Sequence, residues 1–435
     1  MKNILMNIKK ISLEEFGEYC FYFGTVLLST TLLISAIFYV ISLIVSFLKK
    51  PLKIKGDFYN TALFFCTIMM IWSTINSIFT NNHSELLTWD KNIAFLNLFN
   101  WIPLFAFFSG SQFYLKNKIQ RINFAKCILV GIIPVIFSCI LHKWFIFNGP
   151  YEFLYGLVVF YLKPILGYSG VAGLFPNPNY LGIWLSASLP FSIFILNINK
   201  IKRLNLIFVS LIIFSSIYFI ILSNSRNSFI GIFIAASIMT SIKFILFLLF
   251  TFSMIYIISS GILPIPFIDN LLNKDIVPIQ VFKKLFETNY INRYEFPRID
   301  IWEKALKLIS QRPFLGWGAG TFALLYLSRN GMFDVTHTHS MPLEIAQIYG
   351  IPSALLITFF VLFILIKSHK IIFNKFQISD NLINKAWLAS ILTLIISQLT
   401  DITYYEGKIS FLIWLLLAGL RCIILESEVN DYRES

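Results

Sequence analysis

The sequence predicts an all-α polytopic membrane protein of about 12 transmembrane helices with a large external helical loop. Three observations predict it. The chain is 57% hydrophobic and only 13% charged, against about 25% charged in an ordinary soluble domain. It contains several almost uncharged runs, each long enough for the ~30 Å hydrocarbon layer, whereas a β-barrel would show short alternating segments. Its Lys and Arg residues cluster in short loops between those runs, which is the positive-inside pattern. The net charge of +13 is therefore read as membrane topology, and nucleic acid is not an expected partner.

The elements follow in order. The N-terminus MKNILMNIKK is basic, and the apolar run after it is too long for a signal-peptide core, so it is read as retained. Residues 49–55, 116–126, 199–203, 367–375 and the tail after Arg421 carry the basic loops and should be cytoplasmic. Residues 18–48 have basic flanks on both sides and must cross an even number of times, as two short helices turning near Ser29, Thr30 and Thr31. Further spans are expected near 59–80, 92–110, 122–141, 179–197, 204–223, 227–242, 244–263, 351–367, 386–400 and 409–425. Both termini are then cytoplasmic. The chain divides into an N-terminal bundle of about nine helices (1–263), a large external loop (264–340), C-terminal helices (341–425) and a cytoplasmic tail (426–435). The five cysteines are scattered and make no metal-like or disulfide-like spacing.

Two external segments are long. In 142–178 the aromatic stretch YEFLYGLVVFYLKPIL is too short between Glu152 and Lys163 to span and predicts an interfacial helix. In 264–340 the stretch FPRIDIWEKALKLISQRP predicts an amphipathic helix with Pro297 in its first turn, stopped before Pro313. Ile301, Trp302, Ala305, Leu306, Leu308 and Ile309 recur at helical spacing, and this stripe is expected to lie on the membrane bundle with Arg298 near the helix start.

Candidate chemistry gathers in FDVTHTHSMPLEIAQIYG. His337 and His339 are two of only five histidines in the chain. Ser340 can cap a helix whose first turn holds Pro342 and Glu344. Gly350 and Pro352 should end it, leaving 341–349 as a half-helix before the true span. The positive end of that helix disfavours a second positive charge, so His339 is expected to be neutral and able to act as a general base. A loop histidine bonded to backbone is the plainer reading. A metal site would need a third ligand, for which only Glu344 and Asp334 are near; His83 and His142 lie on other outer loops and His369 inside. No metal or cofactor is expected.

Arg226 stands in LSNSRNSFIG, a short turn between apolar spans, where it could snorkel or grip an anion through its guanidinium fork. Arg298 offers a second fork. GWGAG at 316–320 reads as a tight turn with backbone N–H groups available to an anion. Two external arginines, a neutral imidazole and a membrane surface suit a lipid pyrophosphate, with a base activating an incoming hydroxyl.

HSMPLEIAQIYGIPS, with its His-Ser pair and downstream Gly350, resembles the O-antigen ligase and O-antigen polymerase-like family. RIDIWEKALKLISQRPFLGWGAGTF resembles the stretch before that motif. SNSRNSFIG resembles the family's serine–arginine turn, and FPNPNYLGIWL its asparagine-rich helix start. The resemblance covers roughly residues 170–400. It implies a membrane glycosyltransferase architecture, a metal-independent periplasmic active site in the bacterial inner membrane, and an undecaprenyl-pyrophosphate-linked glycan as donor. By match to the motifs, His339 is implied as base and Arg226 and Arg298 as pyrophosphate-binding residues; His337 is a secondary candidate for substrate binding. Ser353 stands where ligases often carry a second glycine. The acceptor is therefore open: a lipid A-core or similar glycan for a ligase, another lipid-linked repeat unit for a polymerase. A transporter is the reading of another class. Against it, the spans are nearly free of charge, with Arg226 and Asp401 at the outer margin and Lys243 at the inner.

Overall fold

A computed structural model describes residues 12–81, 84–145, 149–156, 158–162, 170–198, 203–240, 297–328, 335–374 and 381–434, with 243, 246 and 250. The chain begins with a helical hairpin, α1 (Leu13–Leu27) and α2 (Leu32–Lys49), turned where the three hydroxyl residues predict. Ser12 and Glu15 form a capping box at its start, each satisfying an otherwise orphaned N–H of the first turn. Hydroxyls tie the hairpin together: Ser35 donates to the Gly24 carbonyl at 2.7 Å and the Tyr39 hydroxyl to Thr25 at 3.1 Å. Bonds of this kind suit a hydrocarbon surrounding, where water satisfies no polar group.

α3 (Phe58–Thr80) follows, capped by Asp57. The single span expected at 92–110 is broken into α4 (Lys91–Leu98) and α5 (Ile102–Ser111). The break falls at Asn100, whose amide donates to Asn97 at 2.8 Å, and just before Pro103, which has no N–H to continue a ladder. Then come α6 (Lys118–Trp144), α7 (Pro178–Leu196), α8 (Arg203–Leu222) and α9 (Arg226–Met239). Further along the chain lie α10 (Pro297–Gln311) and α11 (Phe322–Ser328), both within the stretch expected as the large loop, then α12 (Met341–Tyr349), α13 (Ile351–Asn374), α14 (Leu382–Ser397) and α15 (Gly407–Glu434). Among the described residues, eight helical stretches are long and apolar enough to cross a membrane, and α9 and α14 are apolar but shorter. Apart from Leu246 and Phe250, the span expected at 244–263 lies outside the described residues, as do residues 264–296 and 329–334 of the expected loop.

α7 and α15 form the centre of the bundle. Their apolar windows are 78% and 83% buried, against 28% for α2 and α8. Trp184, Trp387 and Trp414 are fully buried among them. Small residues allow this closeness: a Cβ on Gly419 would lie 2.2 Å from the Trp387 ring, and one on Gly182 would lie 2.2 Å from the Ser228 hydroxyl.

Two expectations are corrected. The aromatic stretch after residue 150 is no interfacial helix: Tyr151–Phe153 (β1) and Val158–Phe160 (β2) pair as antiparallel strands. Val158, Val159 and their aromatic neighbours favour extended backbone, and Leu154, Tyr155 and Gly156 turn through positive φ. The apolar stripe of α10 also packs elsewhere than expected. Ile301, Ala305 and Leu308 close a second, smaller core with Leu86, Trp89, Trp317, Phe322, Leu325 and Tyr326. Only Ile309 joins the main core, and Leu306 is exposed. The two tryptophans and α11 offer α10 an apolar face outside the bundle.

Candidate functional site

The half-helix α12 has the bounds its punctuation predicts, because Gly350 takes φ +88 after Tyr349. Ser340 is its N-cap by position, but its side chain makes no capping bond, contrary to expectation. Two positions of the first turn are settled otherwise: Met341 N–H donates to the Gln398 carbonyl at 2.8 Å, and Pro342 has no N–H to satisfy. The opposite end of α12 is braced by the 316–320 turn. Trp317 N–H donates to the Gln347 carbonyl at 2.8 Å and Gly318 N–H to the Ile348 carbonyl at 3.0 Å. These amides saturate helix-end carbonyls, so they do not form the anion cradle suggested by the sequence.

His339 stands just ahead of this helix with φ +54, a backbone region uncommon for a non-glycine residue. Its Nδ1 lies 3.3 Å from Oδ1 of Asp401. Asp401 sits in the turn between α14 and α15 and is 7% exposed. Its Oδ1 also accepts the Ile402 N–H at 2.9 Å, and its Oδ2 accepts the Asn179 amide at 3.2 Å. Burial pushes the Asp401 carboxyl up. The His339 hydrogen bond, the charges of His339 and Arg298 and the Ile402 N–H outweigh that and hold it below the usual range.

His337 packs edge-on against His339, ring centroids 4.4 Å apart. Burial, with the His339 charge, holds its imidazole down to about 4 despite the pull of Asp401. Arg298 is half-buried in the first turn of α10, and its charge acts on Asp401. Arg226 is the first residue of α9 and is exposed. Its neighbour Asn227 accepts the Thr400 hydroxyl at 3.0 Å, one residue from Asp401. The structure thus gathers His337, His339 and Arg298 round one carboxylate, and it docks the start of α9 on the same turn.

Other histidines stand apart. His142 Nδ1 accepts the Ala172 N–H at 3.2 Å, and His369 faces Phe373 on α13. His83 and Asp334 lie outside the described residues. Among the described residues no group of three or more His, Cys, Asp or Glu could hold a metal ion. Ser353 is fully buried and bonds the Tyr349 carbonyl at 3.2 Å, away from the histidine pair. Beneath the first turn of α12, a cavity of about 310 Å³ lies between α13, α14 and α15. Its lining is apolar, including Trp101, Met341, Ile345, Leu362 and Trp414.

Sequence reasoning noted Asp401 only as a marginal charge and did not place Asn179, Thr400 or Tyr405 at the site. The signal for Asp401 was present, since an aspartate closing an apolar run is costly there unless it is paired.

Fold and site define a multi-pass helical membrane protein with a histidine–aspartate pair and an arginine at the end of its bundle. Residues 211–358 match the family model described as O-antigen ligase, so that segment is similar to this family. The segment carries Arg226, Arg298, His337 and His339 but stops short of Asp401, and it is narrower than the resemblance read from the motifs. No curated protein matches the chain.

Proposed function

We propose that the protein moves a glycan from undecaprenyl pyrophosphate to a lipid A-core or similar acceptor at the periplasmic face of the bacterial inner membrane. The observation that carries this reading is the His339–Asp401 contact at 3.3 Å, with the Arg298 charge acting on the same carboxylate. The donor pyrophosphate would rest on the Arg226 and Arg298 guanidinium groups, whose forks match phosphate oxygens. The apolar cavity under α12 suits the prenyl tail.

Asp401 on Nδ1 fixes the tautomer that leaves Nε2 as proton acceptor. The acceptor hydroxyl gives its proton to Nε2 as its oxygen attacks the anomeric carbon. The bond from that carbon to the pyrophosphate oxygen breaks, and undecaprenyl pyrophosphate leaves. The arginines stabilise the charge that grows on the leaving group, so the step as written requires no metal or cofactor. The same residues would serve a polymerase, in which the hydroxyl belongs to a second lipid-linked repeat unit; that reading keeps the site and changes the acceptor.

The test is transfer by purified protein in proteoliposomes with lipid-linked donor, chelator and each acceptor in turn. His339→Ala should abolish transfer with the protein still inserted. Arg226→Lys and Arg298→Lys keep the charge but lose the fork, and each should slow transfer about 100-fold. Normal transfer by the His339→Ala protein would remove the base from the mechanism. Transfer to lipid-linked repeat units alone would select the polymerase.

A further inference from the structure

We propose that Glu344 is a positioning residue for His339: its buried carboxyl holds the Thr338 N–H and thereby fixes the backbone that sets the imidazole on Asp401. Its link to transfer rests on the functional reading above; its geometry does not.

A left-handed non-glycine residue is uncommon and persists only where its surroundings over-determine it. His339 is such a residue. The Ser340 side chain does not hold it, because it makes no capping bond. What holds it is Thr338, fully buried and bonded on two sides. Its hydroxyl donates to the Ser340 carbonyl at 2.9 Å, across His339. Its N–H donates to Oε2 of Glu344, also at 2.9 Å.

Glu344 is the fourth residue of α12 and is only 5% exposed. An ordinary capping box sends a third-position glutamate back to the N-cap N–H. Here the glutamate stands one place later and reaches two residues beyond the N-cap, to the residue before the histidine. The carboxyl also faces the other half of the site. Tyr405 is a further hydrogen-bond partner, and Asn97 of α4 serves both Tyr405 and Tyr349. One buried carboxyl therefore spans the histidine loop and the turn that carries Asp401. Burial pushes Glu344 up to about 7 against these hydrogen bonds and the His339 charge, which fits a group retained for its bonds and not for an ion pair.

Three substitutions test this. Glu344→Ala removes the acceptor. Glu344→Asp keeps the carboxyl but shortens the reach to Thr338. Glu344→Gln keeps an oxygen at the same distance. Two readouts are taken on the full-length protein in proteoliposomes. One is the rate at which diethylpyrocarbonate modifies His339, followed by mass spectrometry with no donor present. The other is kcat and KM for the lipid-linked donor.

The Ala and Asp variants should react severalfold faster at His339, as the imidazole leaves Asp401, and should lose kcat about tenfold or more with little change in KM. The Gln variant should stay near wild type in both. An unchanged modification rate in the Ala and Asp variants overturns the proposal, as does a Gln variant that behaves like Ala. Should the Ala variant fail to insert, the Asp–Gln contrast decides alone. If the wild-type protein transfers nothing, the functional reading fails while the modification rates still decide the role of Glu344.

Discussion

At the residue scale, what distinguishes the site is two carboxyls pushed in opposite directions. Asp401 is held below the carboxylate range and Glu344 is pushed to about 7. The shift of Glu344 also predicts a pH dependence of stability. Its folded value exceeds the ordinary 4.5, so the folded chain binds more protons than the unfolded chain between those two values. Its contribution is fully present below about 4.5 and is lost as pH rises through about 7, a difference of about 3 kcal/mol at most. Glu344→Gln cannot ionise. Its apparent melting temperature in detergent should exceed that of wild type at pH 8, and the gap should close toward pH 5. Parallel melting curves for the two proteins across that range would contradict a raised carboxyl at this position. The sequence made His339 and Arg298 legible because ionisable groups are rare in so apolar a chain and invite a functional question. It could not show Asp401 as the partner, because 62 residues separate it from His339 and nothing local marks the pairing. Nor could it show that the His339 backbone is left-handed, a feature imposed by Thr338 and Glu344 from outside the residue itself.

At the scale of elements, the reading succeeded where stops are local and failed where partners are remote. α12 and α10 have the bounds that Gly350, Pro297 and Pro313 announce, because proline and glycine act on the backbone where they stand. The strand pair at 151–160 is the exception, a local hairpin whose β-branched and aromatic residues were read at the wrong period. The break between α4 and α5, by contrast, is held from afar, by the Tyr404 hydroxyl on the Asn100 carbonyl at 2.8 Å, and the apolar stripe of α10 found a core that includes Leu86, 215 residues before Ile301. The bracket round α12 is the element on which the site depends most, since its two ends set His339 above and the glycine turn below. Gly350 is its tightest point: φ is +88, and a Cβ there would lie 2.1 Å from the Phe314 carbonyl oxygen. Gly350→Ala should therefore destabilise the protein by about 2–4 kcal/mol and reduce transfer with it. Gly56→Ala is the control, with φ +89 but nothing within 4 Å of the new Cβ, so it carries the backbone strain without the clash. Equal melting temperatures for the two variants would show that close packing at Gly350 does not hold α12 in place.

At the scale of the whole molecule, charge is sorted to the two ends of the same helices. α3 runs from Tyr59, whose ring faces Arg421, to Asn81, whose amide donates to the Trp317 carbonyl at 2.7 Å. α15 runs from the turn that holds Asp401 to Glu428, which meets Lys367 of α13 at 2.6 Å. Arg121, 1% exposed, bonds the Leu115 carbonyl and Glu426 at that second end. One end is thus an ion-pair cluster beside the basic loops, and the other carries His339, Asp401 and Arg298. The positive-inside trend assigns the basic end to the cytoplasm, which would leave the site facing out. Single cysteines can test this, since the five native ones are buried or half-buried and should give little background. Leu87 is 83% exposed beside Trp89 of the small outer core, and Lys53 is exposed in the loop before α3. In cells with a permeabilised outer membrane, a membrane-impermeant maleimide should label Leu87→Cys at once and Lys53→Cys only after the inner membrane is lysed. The reverse pattern would put His339 on the cytosolic side, where it could not meet a periplasmic acceptor, and the proposed transfer would fall with the topology.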